Sequence, residues 1–185
     1  MIGRTRGISD AAALSVSHLE EQTALTSQAI ALDIDQRLGA AGIVQELLID
    51  LIDLSLQGKQ ARWNLRGRMF RDLHLLLDDL VEETGSYADR LAERCLALGV
   101  AADSRVATLA YFTHLDPFPP GRIEDRHVVD LMVTRLHAIS EVGRRRLSQL
   151  GELDLVSQNL VLEVLVGVEK NLWMFEAHQP TEMSG

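Results

Sequence analysis

The strongest constraint on this chain is where its prolines are not. All four, Pro117, Pro119, Pro120 and Pro180, come late, and the stretch from about Asp33 to Leu98 has none. Proline removes a backbone donor and clashes with the preceding helical turn. A long run without it is therefore free to form long helices, and here the apolar residues recur at helical steps. Ile43, Leu47, Leu51 and Leu54, with Leu48 beside them, predict a first helix from roughly Asp35 to Leu65, stopped by Asn64 and Gly67. A second helix is expected from about Met69 to Leu98, ended by Gly99. A third runs from about Ile123 to Leu150, with Gly151 as its break, and a fourth from about Leu153 to Ala177. Between the second and third lies a longer connection, Val100 to Gly121, with the stiff end Asp116–Pro–Phe–Pro–Pro120 and room for a short helix between Asp103 and Phe112.

Four helices joined short, long, short predict an all-α fold. A single long crossover between helices 2 and 3 is the ferritin-like form of the four-helix bundle. The bundle is expected over 33–178, after an N-terminal tail, 1–32, that is partly disordered or a short helix near Leu19 to Ala31, and before a short C-terminal tail, 179–185. Asp+Glu number 27 against Lys+Arg 18, a formal charge of −9. That balance argues against a surface that coats nucleic acid generally and leaves open cations, or a small basic tail, as partners. The one cysteine, Cys95, cannot form an internal disulfide, which fits a reducing compartment. No apolar run approaches the ~20 residues of a membrane span, so no membrane is expected and the cytoplasm is the default location.

The second helix carries the chemistry. With about 100° per residue, and His74 set at 0°, Asp78 lies at about 40°, Asp89 at about 60° and Glu93 at about 100°. Leu73, Leu77, Leu80, Ala88, Leu91 and Cys95 fall on a different face, between about 240° and 320°. His74/Asp78 and Asp89/Glu93 are each one turn apart, so each pair is able to grip one metal ion or two close ones. Asp78 and Asp89 are about 16 Å apart along the axis at about 1.5 Å per residue. One straight helix cannot bring both pairs to one ion; two copies crossing antiparallel about a two-fold axis can. One imidazole with carboxylates suits iron or manganese better than a structural zinc site. The other reading of this stripe is an ordinary solvated face, since Arg71, Glu82, Glu83, Arg90 and Arg94 lie on the same helix.

The stretch Leu51–Ile–Asp–Leu–Ser–Leu–Gln–Gly–Lys–Gln–Ala–Arg–Trp–Asn–Leu–Arg–Gly67 resembles a signature of the Dps family, the ferritin-like DNA-binding proteins of starved bacterial cells. The resemblance continues through Phe70–Arg–Asp–Leu–His–Leu–Leu–Leu–Asp–Asp79, Asp89–Arg–Leu–Ala–Glu–Arg94 and Ala97–Leu–Gly99. It returns in Asp154–Leu–Val–Ser–Gln–Asn159 and Glu169–Lys–Asn–Leu–Trp–Met–Phe175, and so covers about Asp33 to His178. It implies a dodecameric shell that oxidises ferrous iron, preferentially with hydrogen peroxide, and stores ferric mineral inside as a protection against oxidative stress. It implies a metal site at the two-fold interface, with His74 and Asp78 from one subunit, Asp89 and Glu93 from its neighbour, and Trp63 beside it. Packing at a helix end is the other reading of Trp63.

The sequence departs from the family at one ligand. The family usually reads Lys–Gln–Ala–His–Trp–Asn, and this chain reads Lys59–Gln–Ala–Arg62–Trp–Asn64. Arginine stays protonated and offers no lone pair to a metal. Either Arg62 swings away and iron binds through the remaining four ligands with weaker affinity, which we favour because those four stay in register, or Arg62 blocks the site. In the second case the shell is structural or DNA-protecting with impaired ferroxidase activity. By position in the family, Glu152 and Asp154 are candidates to line a threefold pore, with Asn159 where an aspartate is common. Helix capping is the alternative for the acids. The tail contains only Arg4 and Arg6 against Asp10, Glu20 and Glu21, so DNA binding is expected to be weak or absent at physiological salt, though nucleoid association belongs to the family picture. His18, His114, His127, His137 and His178 read as surface or packing residues, and Cys95 as buried and inert.

Overall fold

The computed structural model describes residues 30–179. The expected tails lie outside the described residues apart from 30–32 and 179, so the helix near Leu19 to Ala31 and the two tail arginines, Arg4 and Arg6, are not placed. The described chain runs α1 (Ile34–Asn64), β1 (Leu65–Arg66), α2 (Phe70–Ala97), α3 (Val106–Phe112), β2 (Ile123–Glu124), α4 (Asp125–Leu153) and α5 (Leu155–Glu176). The four long helices are those expected, and α3 is the short helix of the crossover. The all-α, ferritin-like four-helix bundle stands.

Two of the boundaries have a local cause. Asp33 starts α1 with a capping box: its carboxylate accepts from the Gln36 amide at 2.8 Å and the Gln36 side chain accepts from the Asp33 amide at 3.2 Å. At the end of α2 the amides of Gly99 and Val100 return to the carbonyls of Leu96 and Cys95, both at 3.0 Å, with Gly99 at φ 85°. This left-handed turn satisfies the last carbonyls, and glycine adopts it without a Cβ clash.

The turn between α1 and α2 is built with a partner from far along the chain. Leu65 and Arg66 pair in parallel with Ile123 and Glu124. The next residue, Asp125, accepts from the Met69 amide at 2.9 Å and so caps the start of α2, which has no capping side chain of its own. Gly67, at φ 135°, passes so close to this carboxylate that any Cβ would strike it.

One expectation fails. Gly151 does not break the third helix; α4 continues to Leu153 and Asp154 is the boundary. A Cβ at residue 151 would lie 2.6 Å from the end of the Gln158 side chain, and an interior glycine costs a helix only about 1 kcal/mol.

Leu54, Leu73, Leu77, Leu80, Leu91, Met132, Leu136, Val164 and Phe175 have no exposed surface and join all four long helices in one core. Each such side chain contributes roughly 1.5–3 kcal/mol by leaving water. The crossover is laced to α1 by polar bonds. Gln45 exchanges bonds with the backbone of Asp103 at 2.7 and 2.9 Å, and Thr113 donates to Asp53 at 2.7 Å. Among the described residues no helix is long and apolar enough to cross a membrane.

Candidate metal centre

His74, Asp78, Asp89 and Glu93 all lie on α2, and the apolar residues expected on its other face, Leu73, Leu77, Leu80, Ala88, Leu91 and Cys95, are buried. His74 and Asp78 are half-buried one turn apart, with His74 Nε2 3.8 Å from Asp78 Oδ2. The Phe70 ring lies 5.3 Å from the imidazole, tilted by 33°, and covers one side of it. His74 Nδ1 is buried and has no hydrogen-bond partner.

Arg62, in the last turn of α1, reaches across the hairpin and donates through Nη1 to Asp78 Oδ1. Its Nε is buried without a partner. Trp63, the next residue, is 67% exposed. Asp89 and Glu93 are exposed further along α2, and neither carboxylate has a hydrogen bond or ion pair among the described residues. Within a single chain the two pairs remain apart. No group of three or more His, Cys, Asp or Glu side chains able to hold a metal occurs among the described residues. The chain therefore presents His74 and Asp78 as one adjacent pair, and separately an open carboxylate pair.

The pore candidates fare differently from one another. Glu152 is exposed. Asp154 is 6% exposed and caps α5, accepting from the amides of Val156 at 3.2 Å and Ser157 at 3.0 Å. Arg94 donates to the same carboxylate at 2.6 Å. Burial by itself would raise the pKa of Asp154, but the bonds from Ser157 and Arg94 outweigh it and hold the carboxyl below its usual range. Asn159 is exposed and donates to Glu163 at 3.1 Å.

Two features escaped the sequence reading. His114 is half-exposed, yet its Nδ1 lies 2.9 Å from Asp50 Oδ2 and its amide donates to Asp50 Oδ1 at 2.8 Å. Asp50 has no exposed surface, and burial raises its pKa although the His114 contacts oppose the shift. An acid inside the apolar run Leu47 to Leu54 was the available signal, because a buried carboxyl needs a partner. The second feature is a set of exposed arginines. Arg68, Arg71, Arg122 and Arg126 have no side-chain hydrogen bond or ion pair among the described residues. Arg66, Arg90, Arg94, Arg105, Arg144, Arg145 and Arg146 all pair with carboxylates. The β1–β2 pairing gathers the four unpaired ones at one end of the bundle.

Comparison with known proteins agrees with this architecture. A family model described as a ferritin-like domain matches residues 42–181. The chain is 32% identical to DNA protection during starvation protein 2 of Deinococcus radiodurans over 134 residues, which is 72% of this chain but 56% of that relative. It thus spans little more than half of that protein. It is 30% identical to the DNA protection during starvation protein of Agrobacterium fabrum over 138 residues, 74% of this chain and 85% of the relative. The solved structure of Dps from Microbacterium arborescens in the high iron form superposes with a TM-score of 0.76 at 35% identity, covering 80% of this chain and 98% of that one. A ferritin-like bundle, a matching family model and these relatives lead to one assignment: the chain belongs to the Dps family of ferritin-like proteins.

Proposed function

We propose that this protein assembles into a dodecameric shell that oxidises ferrous iron, with hydrogen peroxide as the oxidant, and stores the ferric product as mineral. The observation that carries this reading is the α2 stripe: His74 and Asp78 form a half-site, with His74 Nδ1 buried and unsatisfied, while Asp89 and Glu93 stand open and unpaired. Two copies placed antiparallel about a two-fold axis would complete a centre of one imidazole and three carboxylates from these parts. Carboxylate oxygens and imidazole together suit iron, and three negative charges favour the ferric over the ferrous ion. Peroxide would take two electrons, one from each of two ferrous ions, and two protons from water, and leave as two water molecules. Trp63 would lie beside the centre, as the family resemblance implies.

The other part of the reading concerns traffic and partners. Glu152 is the exposed acid at the α4–α5 corner and is our candidate for a pore lining, with Asn159 nearby. The Asp154 carboxylate is already taken up by capping and by Arg94, so it contributes to the pore only through the helix end it holds. DNA binding is weak at physiological salt in this reading, and the location is cytoplasmic, consistent with the lone thiol of Cys95.

A second reading, a structural or DNA-protecting shell with impaired iron oxidation, is favoured by the Arg62–Asp78 pair, which removes one ligand from the half-site. One experiment separates the two. Ferrous iron and peroxide are added to the assembled protein under anaerobic conditions, and ferric absorbance and the iron retained per shell are followed. Retention that is lost in Asp89→Asn and Glu93→Gln supports the first reading; uptake no greater than a buffer blank removes it.

A further inference from the structure

Arg62 holds its carboxylate by one contact, unlike the two forked arginines of this protein, Arg105 and Arg144. Arg144 grips Glu169 with a two-pronged fork, Nε to Oε1 at 2.6 Å and Nη2 to Oε2 at 2.7 Å. Arg105 grips Asp103 in the same way at 3.0 and 2.6 Å. Arg62 makes a single contact, Nη1 to Asp78 Oδ1. Its Nε is buried and unsatisfied, and the other Asp78 oxygen is left facing His74. A forked pair gains geometric fit as well as charge. The Arg62 contact offers charge with little fit.

Resting on the iron-oxidising reading above, we infer that Arg62 is a tethered competitor for divalent cations at Asp78. In the metal-free protein the guanidinium fills the cation position beside His74 and Asp78. A metal ion at His74 and Asp78 either shares the Asp78 carboxylate with the guanidinium or expels it. A carboxylate oxygen can bind a metal and accept a hydrogen bond at once, so the conflict is one of charge. An ion placed beside a guanidinium that stayed would meet a like charge a few ångströms away. The one-pronged hold of Arg62 makes expulsion feasible, which distinguishes a competitor from a permanent plug. The consequence is a threshold: the half-site stays in its arginine-filled state until the divalent cation concentration is high enough to displace the side chain. Arg62 is a positioning and affinity-setting residue in this scheme, and it transfers neither electrons nor protons.

The test is a titration of the assembled, full-length protein with Co(II), whose visible bands report ligation, together with calorimetry. Arg62→Gln removes the charge without adding a good metal ligand, so it isolates competition from the loss of a histidine. The dissociation constant should fall at least about tenfold in Arg62→Gln, and Arg62→Lys, which keeps the charge, should bind as weakly as the parent. Arg62→Met is the second uncharged variant, used if the Gln variant does not assemble, and it should tighten binding likewise. Uncharged variants that bind Co(II) no more tightly than the parent, while Asp78→Asn still abolishes binding, overturn the competitor and leave the metal site standing. Binding unaffected by Asp78→Asn in an uncharged background overturns the site itself.

Discussion

Arg62 and Asp78 are bonded within one chain, across the α1–α2 hairpin. The side chain that stands where the family usually reads histidine thus holds one of the proposed ligands of its own subunit. Returning the histidine should do two things at once: release Asp78 and restore an imidazole. Arg62→His is expected to raise the initial rate of ferrous oxidation by peroxide about tenfold or more, on the scale of other changes around metal ligands. Stopped-flow absorbance at limiting iron measures it, and an unchanged rate would count against Arg62 as an impairment. The pair itself is worth little to the fold. Its partners are 27% and 42% exposed, so removing it should alter stability by at most about 1 kcal/mol.

Asp154 ties α5 to α2. Asp154→Asn weakens the cap and breaks the pair with Arg94, and should cost about 1–3 kcal/mol at pH 7. The folded pKa of Asp154 is depressed, so its contribution is present above the unfolded carboxylate value and is lost as pH falls through the folded one. The gap between parent and variant in urea melts should therefore narrow from pH 7 down to pH 2. A gap that widens in acid would contradict this assignment.

Gly67 is required twice, by its φ of 135° and by the Asp125 carboxylate beside it. Gly67→Ala should destabilise the protein by about 2 kcal/mol or more. It should also loosen the start of α2, seen as faster amide exchange at Met69, whose amide donates to Asp125.

We expect the arginines left unpaired among the described residues at the hairpin end to supply phosphate contacts in an otherwise acidic body. Duplex DNA is expected to bind at about 20 mM salt and to be released by about 150 mM, with Arg68, Arg71, Arg122 and Arg126 together setting the slope of affinity against salt. Replacing all four with serine should flatten that slope in an anisotropy titration. Truncation of the tail that carries Arg4 and Arg6 should change it less, and the reverse order would assign binding to the tail.

Cys95 is fully buried, and burial pushes its thiol up to about 12. A thiol reagent at pH 8 should leave it untouched in the folded protein and label it fully in denaturant. Rapid labelling without denaturant would show that α2 opens locally.

Much of the fold was legible before any coordinates. Gly99 marks a helix end by local chemistry, and the leucines of α2 mark its buried face by period alone. Gly151 misled because an interior glycine costs a helix only about 1 kcal/mol, and α4 continues through it to Leu153. The two-residue pairing of β1 with β2 was invisible because its partners are 58 residues apart in register, Leu65 with Ile123.

The candidate site divides along the same line. The sequence by itself determined that His74, Asp78, Asp89 and Glu93 share a helix face, since that follows from the helical repeat, and that Arg62 stands where the family usually reads histidine. Only the tertiary structure decided that Arg62 bonds to Asp78, that Asp154 is taken up by Arg94, that Asp50 is answered by His114, and that four arginines go unpaired at one end. A helical face is fixed by backbone geometry over a few residues. A charge's partner is fixed by which distant segments pack together, and that depends on the whole core.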